Sequence, residues 1–470
     1  MFFSKQPLHI GRHIESLKLF NYMEFVMKYF VLQQDKRVVD VSGYLKQPDV
    51  DAEFSRFIRR EALNEIVAEQ SNDKPAYLRY ANKLGFRWEQ SADIGHVQYD
   101  YKANLMRRLV QDYARQLVHE LGMPVYEVNG ANMFSLNHPV VEKYASLYGD
   151  RLYQFKSGDH DVVMSYDASY PQFNLAAKAP LSHRRLPFAH FSLSDCYRHE
   201  QSGEMMLLLR QRRFFMPDIH PYFKDIAEAF SWFPKLQEKI VDAAKDAGRA
   251  YQVIIEIPSE KIWKEYRSYI EKIPAQLGAD VLVNILEDGQ DRYWVVNVDY
   301  KFIDRLGQAR EIGCIQIDIH NAARLNIRYV DEHGQSKHPV IIHSAIPGGI
   351  ERWLYLLFDN FKEQGLPLWL QPVQIRLLPV GEAFVEKCLE LAEKYAHLPL
   401  RIEVDDRNVS LSAKLKSAHE DLVPHKVVIG QKEIDDNFAD LERLLKELIE
   451  EVEDKPFIRR EWPMELSKQL

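Results

Sequence analysis

The sequence predicts an α+β fold in which a domain built on an antiparallel sheet precedes a small α/β domain. Runs of β-branched and aromatic residues follow one another through the middle of the chain without long helices between them, which is typical of an antiparallel sheet. These runs cover residues 280–285, 293–303, 312–319 and 340–343. From residue 366 onward, short apolar runs alternate with helical stretches, as in a parallel α/β unit. The predicted division is 1–73, 74–364 and 365–470.

Composition limits the class of protein. The 470 residues include 61 basic and 69 acidic side chains, a formal charge of −8, so any nucleic acid must be bound by local basic patches. A chain of this length is long enough for two or three domains. Its three cysteines cannot form a disulfide framework, which makes the cytoplasm the expected location. No apolar run of about 18 residues predicts a membrane span.

The N-terminal part gives mixed signals and is predicted to be an extension. Residues 12–32 are compatible with a helix, residues 37–45 are strand-like, and residues 51–70 predict a polar helix. A clear amphipathic helix is predicted at 101–121, because apolar residues recur there at intervals of four. Gly122 is expected to end that helix, and a short strand is predicted at 123–128.

The stretch from Phe191 to His220 places charged residues between apolar runs. Two strand-like runs, 191–193 and 205–209, flank Gln201-Ser202-Gly203, which is a turn pattern. The sequence therefore predicts a hairpin with Arg198 and Glu200 on its first strand and several arginines on its return. A charged hairpin within a core indicates a functional site, because buried charges need partners.

Helices are also predicted at 221–250 and at 350–361. The second begins directly after Pro347-Gly348-Gly349, where small residues allow a backbone or a ligand to come close to the helix N-terminus. In the last part of the chain the predicted strands are 373–378, 400–404 and 426–429, and the predicted helices are 380–395, 409–420 and 438–452.

Arg198 and Arg352 are the candidate anion-binding residues. A buried arginine needs an anion or a carboxylate, so Arg198 either forms a structural ion pair with Glu200 or Asp195 or binds a ligand. Arg352, in the first turn of a helix, has a solvated side chain as its alternative interpretation. Two arginines that reach one phosphate chain from opposite sides would stabilise the charge that develops during displacement at phosphorus.

His220 and His343 are candidate metal ligands, because neutral imidazole is a good ligand for zinc. With 17 histidines in the chain, spacing alone does not select two of them. Cys314 and Gln316 share one face of a predicted strand that also carries Glu311, and an ordinary sheet face is the alternative interpretation.

Several segments together resemble the class II aminoacyl-tRNA synthetases, most closely the archaeal type of threonyl-tRNA synthetase. Motif 1 is similar to the helix that ends in LGMP with GANMFSLNHP after it, and motif 3 to IPGGIERW. Motif 2 is similar to YRHE with its loop QSGE and the return LLLRQRRFFMPDIH. The segments PLWLQPVQI, VDDRNVSLSAKL and PHKVVIG resemble the anticodon-binding domain of the same family. The resemblance runs from about residue 74 to the C-terminus.

This resemblance implies a threonine–tRNA ligase that uses ATP and Mg²⁺, acts on threonine and tRNA(Thr), and forms a homodimer through the motif 1 helix and strand. It implies that Arg198 binds the α-phosphate, Arg352 the γ-phosphate, and that Phe214 stacks on adenine. The other implied nucleotide ligands are Glu200, Arg210 and Glu311, of which Glu311 is also the candidate magnesium ligand. Asp218 would accept a hydrogen bond from the substrate hydroxyl, and the other implied amino-acid contacts are Trp294, Gln316 and Cys314.

A zinc site is also implied, with one departure from the family pattern. His220 and His343 match the two histidines that hold a zinc ion, which recognises threonine through its amino group and hydroxyl. The third ligand in the family is a cysteine, and Ser169 occupies that position here. Serine is a poor zinc ligand at neutral pH, so either Asp167 or Cys314 is the third ligand, or the metal is lost and with it the family's way of rejecting valine. Of these alternatives, the expectation is a retained site with an altered third ligand.

The N-terminus departs from the family as well. About 70 residues are too few for the editing domain that hydrolyses seryl-tRNA, so we expect a chain that does not edit in cis and a separate trans-editing protein. Predicted tRNA-binding patches are 184–185, 210–213, Lys414 with Lys416, and 459–460.

Two other functions are compatible with these residues. One is a synthetase paralogue that activates another amino acid or charges a carrier other than tRNA, which the change at Ser169 favours. The other is a non-catalytic tRNA-binding or regulatory homologue. The pair Arg198 and Arg352 argues against the latter, because a binding protein has no need of two phosphate ligands.

Overall fold

The computed structural model describes residues 28–66, 76–138, 141–142, 145–290 and 292–469. The strands are β1 (Lys28–Leu32), β2 (Val38–Asp40), β3 (Phe86–Trp88), β4 (Val97–Tyr99), β5 (Val125–Glu127), β6 (Met133–Ser135), β7 (Gln154–Ser157), β8 (His160–Met164), β9 (Leu181–Ser182), β10 (Phe188–Tyr197), β11 (Arg213–Phe223), β12 (Gln252–Ile257), β13 (Val281–Ile285), β14 (Trp294–Ile303), β15 (Ala309–Asp318), β16 (Tyr329–Val330), β17 (Ser336–Lys337), β18 (Val340–Ala345), β19 (Ile375–Pro379), β20 (Ile402–Val404) and β21 (His425–Ile429). The α-helices are α1 (Val41–Tyr44), α2 (Ala52–Glu61), α3 (Ala76–Lys83), α4 (Tyr101–His119), α5 (Ser169–Lys178), α6 (Ile226–Asp246), α7 (Glu260–Ile270), α8 (Ile273–Leu277), α9 (Asn321–Arg324), α10 (Ile350–Asp359), α11 (Phe361–Gln364), α12 (Val385–Lys394), α13 (Leu411–Glu420), α14 (Gln431–Asp435) and α15 (Ala439–Val452).

A ten-stranded sheet with the order β2-β1-β13-β12-β14-β15-β18-β11-β10-β5 organises the larger part of the chain. Its neighbouring strands are antiparallel except for the pairs β5–β10 and β12–β13. Strand alternation gives the sheet two different faces. On β14, Val296, Val298 and Tyr300 contribute to the core on the side of α6, whereas Asn297 and Asp299 lie on the opposite face. The predicted α+β class with an antiparallel sheet is confirmed.

The N-terminal residues that the structure describes extend this sheet. Strand β1, in a stretch that was compatible with a helix, pairs instead with β13, from Lys28 with Ile285 to Leu32 with Val281, and β2 pairs with β1. Helix α2 begins at Asp51, whose carboxylate accepts a hydrogen bond from the Phe54 N–H, and packs buried Phe57 and Ile58 against the sheet. The predicted polar helix at 51–70 is thus present up to Glu61. The part of the stretch 12–32 that precedes Lys28 lies outside the described residues.

The predicted amphipathic helix is α4. Asp100 begins it by accepting hydrogen bonds from the N–H groups of Lys102 and Ala103, and Gly122 beyond its end has a φ of +79°, which favours glycine. Its apolar residues at intervals of four are all buried: Leu105, Leu109, Tyr113, Leu117 and, just after the helix, Leu121.

The hairpin is present, but the predicted position of its second strand was wrong. Strand β10 pairs with β11, and the run 205–209 lies in the connection between them. Met206 and Arg210 bond to each other across a tight turn in which Leu208 has a φ of +68°. The leucines of this run are buried because the connection folds into the core. The apolar run 205–209 is therefore explained by the burial of its leucines in the core and not by pairing as a strand.

Helix α5 lies where no helix was predicted from the sequence. Its N-cap residue is Ala168, which has no capping side chain, and the first two N–H groups of the helix, those of Ser169 and Tyr170, are bound instead by the carboxylate of Asp167, one position earlier. Its buried side includes Phe173, which is fully enclosed, and Ser169. This helix brings Ser169 to the sheet.

The C-terminal part is a separate parallel sheet with the order β20-β19-β21, as the alternating pattern predicted. Arg376 on β19 and Glu403 on β20 form an ion pair in which both side chains are fully buried. Glu403 also accepts a hydrogen bond from Gln469 at 3.0 Å, and Arg376 pairs with Asp421 at 2.8 Å.

Residues 453–469 form a tail that returns to the larger part of the chain. Lys455 pairs with Asp246 at the end of α6, and Glu461 pairs with Arg108 of α4 at 2.8 Å. The Trp462 ring contacts the Tyr101 ring, with centroids 4.9 Å apart. None of the helices described here is long and apolar enough to span a membrane.

Candidate active site

One cavity on the open face of the sheet collects most of the predicted site residues. It lies between the ends of β10 and β11, strands β15 and β18, and the first turn of α10. The predicted residues that line it are Asp167, Ser169, Arg198, Glu200, Arg210, Phe214, Asp218, Glu311, Cys314, Gln316, His343 and Arg352. His220 is fully buried and contacts two of these residues, Ser169 and His343.

Arg198 follows the last residue of β10 and projects into the cavity. Its Nε donates to the Tyr166 carbonyl at 3.1 Å, and its guanidinium lies 5.1 Å from the centroid of the Phe214 ring. Neither expected carboxylate is its ion-pair partner, because Glu200 pairs with Arg210 and Asp195 pairs with Arg213. The structural ion pairs that we considered for Arg198 are therefore made by other arginines.

Arg352 lines the same cavity from the first turn of helix α10. Its Nε donates to the Leu209 carbonyl at 3.2 Å, and its Nη1 lies 3.9 Å from the Glu311 carboxylate. Gly348 allows this placement, because its φ is +127° and a Cβ there would lie 2.2 Å from the Ile312 carbonyl oxygen. Helix α10 thus approaches β15 closely enough for its first turn to line the cavity.

Only part of the predicted basic patch 210–213 faces the cavity. Arg210 lines it, whereas Arg212 is buried and donates to the Glu200 carbonyl at 3.0 and 2.8 Å and to Asp93 at 2.9 Å. Arg212 therefore holds the loop between β10 and β11 in place. Of the other patches, Lys414 differs from expectation because it is buried, whereas Arg184, Arg185 and Arg459 are exposed.

Glu351 is a cavity residue that the sequence reasoning missed. It is buried in the first turn of α10, where it accepts hydrogen bonds from the Tyr99 hydroxyl at 2.5 Å and from the Phe215 N–H at 3.0 Å. Burial raises its pKa from 4.5 to about 7, against the lowering effect of these hydrogen bonds. Glu351 therefore links α10 to β4 and β11 beside Arg352.

This carboxyl group predicts a pH-dependent stability. Because the pKa of Glu351 is raised in the folded state, its contribution is complete below pH 4.5 and is lost as the pH rises through about 7. The E351Q variant keeps a neutral side chain at every pH. We expect the melting temperature of the wild type, measured relative to E351Q from pH 4.5 to 8, to fall until about pH 7 and then level off. The corresponding loss of unfolding free energy is about 3 kcal/mol. A difference in melting temperature between wild type and E351Q that stayed constant over this pH range would contradict the prediction.

The deeper end of the cavity is lined by hydrogen-bonding side chains. Asp218 lies on β11, and burial and the nearby Asp167 raise the pKa of its carboxyl group well above the usual range, although Arg198 opposes this. Tyr293 donates a hydrogen bond to Gln316 at 2.6 Å. Such groups suit a small polar ligand whose hydroxyl and amino groups need partners.

Trp294 is a predicted site residue that does not line the cavity. Its neighbour Tyr293 does, and the Tyr293 ring lies 4.9 Å from the His343 ring. Trp294 begins β14 and packs with the Arg292 guanidinium. The sequence alone gave no register for this strand, so it did not show which of the two adjacent aromatic side chains faces the cavity. Cys314 does line the cavity, and burial raises the pKa of its thiol well above the usual range.

Ser169, His220 and His343 meet at the inner end of the cavity, as the resemblance implied. The His220 Nε2 atom lies 3.1 Å from the Ser169 Oγ and 3.1 Å from the His343 Nδ1. The outer ring nitrogens also have partners, since His220 Nδ1 donates to Gln172 and His343 Nε2 donates to Asp318, each at 2.8 Å. Burial, and then the neighbouring His343 and His190, lower the pKa of His220 well below 6.5.

The expected third zinc ligand is missing from this cluster. Within the described ranges no three His, Cys, Asp or Glu side chains form a group that could hold a metal ion. Asp167 is bound elsewhere, because its Oδ1 accepts from the Ser169 and Tyr170 N–H groups and its Oδ2 from the Tyr148 hydroxyl. Cys314 does not join the histidines either. The donor set of two imidazoles and a serine hydroxyl does not fit a zinc site.

Comparisons with known proteins agree with this geometry. Residues 153–361 match the family profile described as tRNA synthetase class II core domain (G, H, P, S and T), and residues 374–458 match the profile of an anticodon binding domain. A threonine–tRNA ligase of Nanoarchaeum equitans is 38% identical over 437 residues, which cover 89% of this chain and 68% of the relative. The chain belongs to the threonine–tRNA ligase family.

Other members of the threonine–tRNA ligase family show the same extent of similarity. The enzyme of Pyrobaculum calidifontis is 40% identical over 412 residues, 86% of this chain and 66% of the relative, so the chain spans just under two thirds of that length. Among solved structures, the RNA binding domain of threonyl-tRNA synthetase from Cryptosporidium parvum superposes with a TM-score of 0.69 at 20% identity, covering 77% of this chain and 91% of that one. Prolyl-tRNA synthetase from the same organism gives 0.62 at 14% identity, with 83% and 79% covered. These two likenesses concern the fold.

Proposed function

We propose that this chain is a threonine–tRNA ligase that activates threonine with ATP and transfers it to tRNA(Thr). The observation that carries the proposal is that Arg198 and Arg352, from different elements of the fold, line one cavity and are each held by backbone carbonyl groups. Guanidinium groups oriented by carbonyl oxygens retain donors for an anion, and two of them suit a chain of phosphates.

In the first step a carboxylate oxygen of threonine attacks the α-phosphorus of ATP, the new P–O bond forms, and the bond to pyrophosphate breaks. Arg198 stabilises the negative charge that develops on the α-phosphate, and Arg352 binds the far end of the triphosphate. The adenine stacks on Phe214. In the second step the terminal ribose hydroxyl of tRNA attacks the threonyl carbonyl carbon, and AMP leaves.

Glu311 is proposed as the protein ligand of Mg²⁺. Its carboxylate lines the cavity near Arg352 and suits a hard cation that is otherwise bound by water and phosphate oxygens. The ion would neutralise charge on the triphosphate. Glu200 and Arg210, paired with each other at the mouth, complete the nucleotide side, and Asp218, Gln316 and Cys314 line the amino-acid side.

The remaining proposals concern organisation. We assign residues 74–364 to catalysis and 365–470 to anticodon binding, with the described residues before 74 as an extension of the catalytic sheet. A homodimer through α4 and β5 is supported by β5 at the sheet edge, where Tyr126 is exposed. Exposed Arg184 and Arg185 are candidate tRNA contacts. A cytoplasmic location accords with three free cysteines.

Pyrophosphate exchange measured with each of the twenty amino acids tests this function. Threonine is expected to support exchange, and tRNA(Thr) to accept the product. Exchange with a different amino acid would instead identify a synthetase paralogue. The observation that favours this alternative is the serine at position 169. Absence of exchange with all twenty would identify a non-catalytic homologue and overturn the proposal.

A further inference from the structure

The inner end of the cavity carries an inference that rests on the proposed function and goes beyond it. We propose that this chain recognises the hydroxyl of its amino-acid substrate without a metal ion, and that Ser169 is the residue that excludes zinc. The proposal concerns the cluster of Ser169, His220 and His343 and the side chains that orient it.

The first argument is the donor set. Structural and catalytic zinc sites take three or four ligands from thiolate, imidazole and carboxylate groups. This cluster offers two imidazoles and one hydroxyl, and the two substitutes that the sequence suggested, Asp167 and Cys314, stay out of it. The carboxylate of Asp218 lies 3.7 Å from His220 Nε2, but among the described residues no three His, Cys, Asp or Glu side chains form a group that could hold a metal ion. Two histidines alone hold zinc weakly, so the single change from a sulfur to an oxygen atom at position 169 decides the metal content.

The second argument is that the cluster is held together by hydrogen bonds. Gln172 donates to the Ser192 hydroxyl and the Asp218 carbonyl, which turns its Oε1 toward His220 Nδ1. Asp318, fully buried, accepts from His343 Nε2 and from two backbone N–H groups. These contacts orient both rings through their outer nitrogens and leave His220 Nε2 as an acceptor, to which the Ser169 hydroxyl can donate at 3.1 Å.

The third argument concerns recognition. The hydroxyl of Ser169 lines the cavity beside Asp218 and Gln316, so a substrate hydroxyl meets both donors and acceptors there. A site that hydrogen-bonds a substrate hydroxyl rejects the analogue without it by about 10⁴-fold, whereas an added or missing methyl group changes the rate by about 10- to 200-fold. Valine is therefore excluded by unpaired polar groups, and serine is discriminated only modestly from threonine.

Metal content tests the proposal directly, because it is measured without substrate. Purified full-length wild type, S169C and S165C are each mixed with one equivalent of zinc, freed of unbound metal, and analysed for bound zinc. We expect less than about 0.1 zinc per chain in the wild type and about one in S169C. Ser165, which donates to the Asp167 carbonyl, provides the matched control, and S165C should behave as the wild type. About one zinc in the wild type, lowered in S169A, would overturn the proposal.

Recognition of the substrate hydroxyl is tested by measuring pyrophosphate exchange in the presence of a chelator that removes zinc and leaves Mg²⁺ free. Threonine-dependent exchange by the wild type should be unchanged, and S169A should lose at least about tenfold of the preference for threonine over valine. Loss of wild-type exchange on adding the chelator would contradict metal-free recognition. A protein without exchange under any condition would refute the proposed function, and the zinc measurement would still decide the metal content.

Discussion

Replacing Arg198 with alanine is expected to lower kcat/KM for threonine-dependent pyrophosphate exchange by about 1000-fold or more. The guanidinium stabilises charge that develops only in the transition state, and removing one such donor typically costs 10²- to 10³-fold, with a further loss from the unpaired phosphate charge. Lysine should restore little, because it cannot reproduce a planar guanidinium held by the Tyr166 carbonyl and the Phe214 ring.

The matched control is R213A on the return strand of the same hairpin. Arg213 pairs with Asp195 at 2.9 Å and does not belong to the cavity lining described above. Its loss should change kcat/KM by less than about tenfold, as expected for a partly exposed ion pair. If R198A retained exchange within tenfold of the wild type, the assignment of Arg198 to the phosphate would be wrong.

Replacing Glu403 with alanine is expected to destabilise the C-terminal sheet by about 3–5 kcal/mol. The change leaves Arg376 buried with only the more exposed Asp421 as a carboxylate partner, and an uncompensated buried charge is costly. Native-state amide hydrogen exchange along β19–β21 measures the free energy of opening of this sheet.

Two further variants test whether the destabilisation by E403A arises from the burial of the Arg376–Glu403 ion pair. The double variant R376M/E403L should recover most of the loss, because well-packed apolar residues replace a buried ion pair at little cost. E442A removes an exposed carboxylate that pairs with Lys394, and it should cost less than about 1 kcal/mol. A loss below 1 kcal/mol for E403A would show that the buried pair contributes little.

Local patterns predicted most of the fold. The intervals of four from Leu105 to Leu121 gave helix α4, and the apolar runs gave the central strands, because these features depend on near neighbours in sequence. Strand β1 and the start of β11 depend instead on distant partners. The run 205–209 has the composition of a strand, but its tight turn at Leu208 is fixed by packing in the core. Sequence patterns do not show when tertiary packing overrides the local preference of a segment for a strand.

The site was predictable where residue identity decides the chemistry. Arg198, Arg352, His220 and His343 were selected by the resemblance, and the structure brings the two histidines together with Ser169. Glu351 was missed because its role depends on burial, and a glutamate in the first turn of a helix resembles many solvated ones. Whether Asp167 could bind a metal ion was not predictable, because its carboxylate accepts a hydrogen bond from the Tyr148 hydroxyl and no local sequence pattern indicates this contact.

The tail formed by residues 453–469 has a consequence for biosynthesis. Its contacts join the C-terminal sheet to helices made far earlier, since Glu461 bonds to Arg108 across 353 positions and Lys455 to Asp246 across 209. Domains fold largely as units from the N-terminus during synthesis. The catalytic sheet can therefore form on the ribosome, whereas the docking of the two sheets is completed only after the tail has been translated.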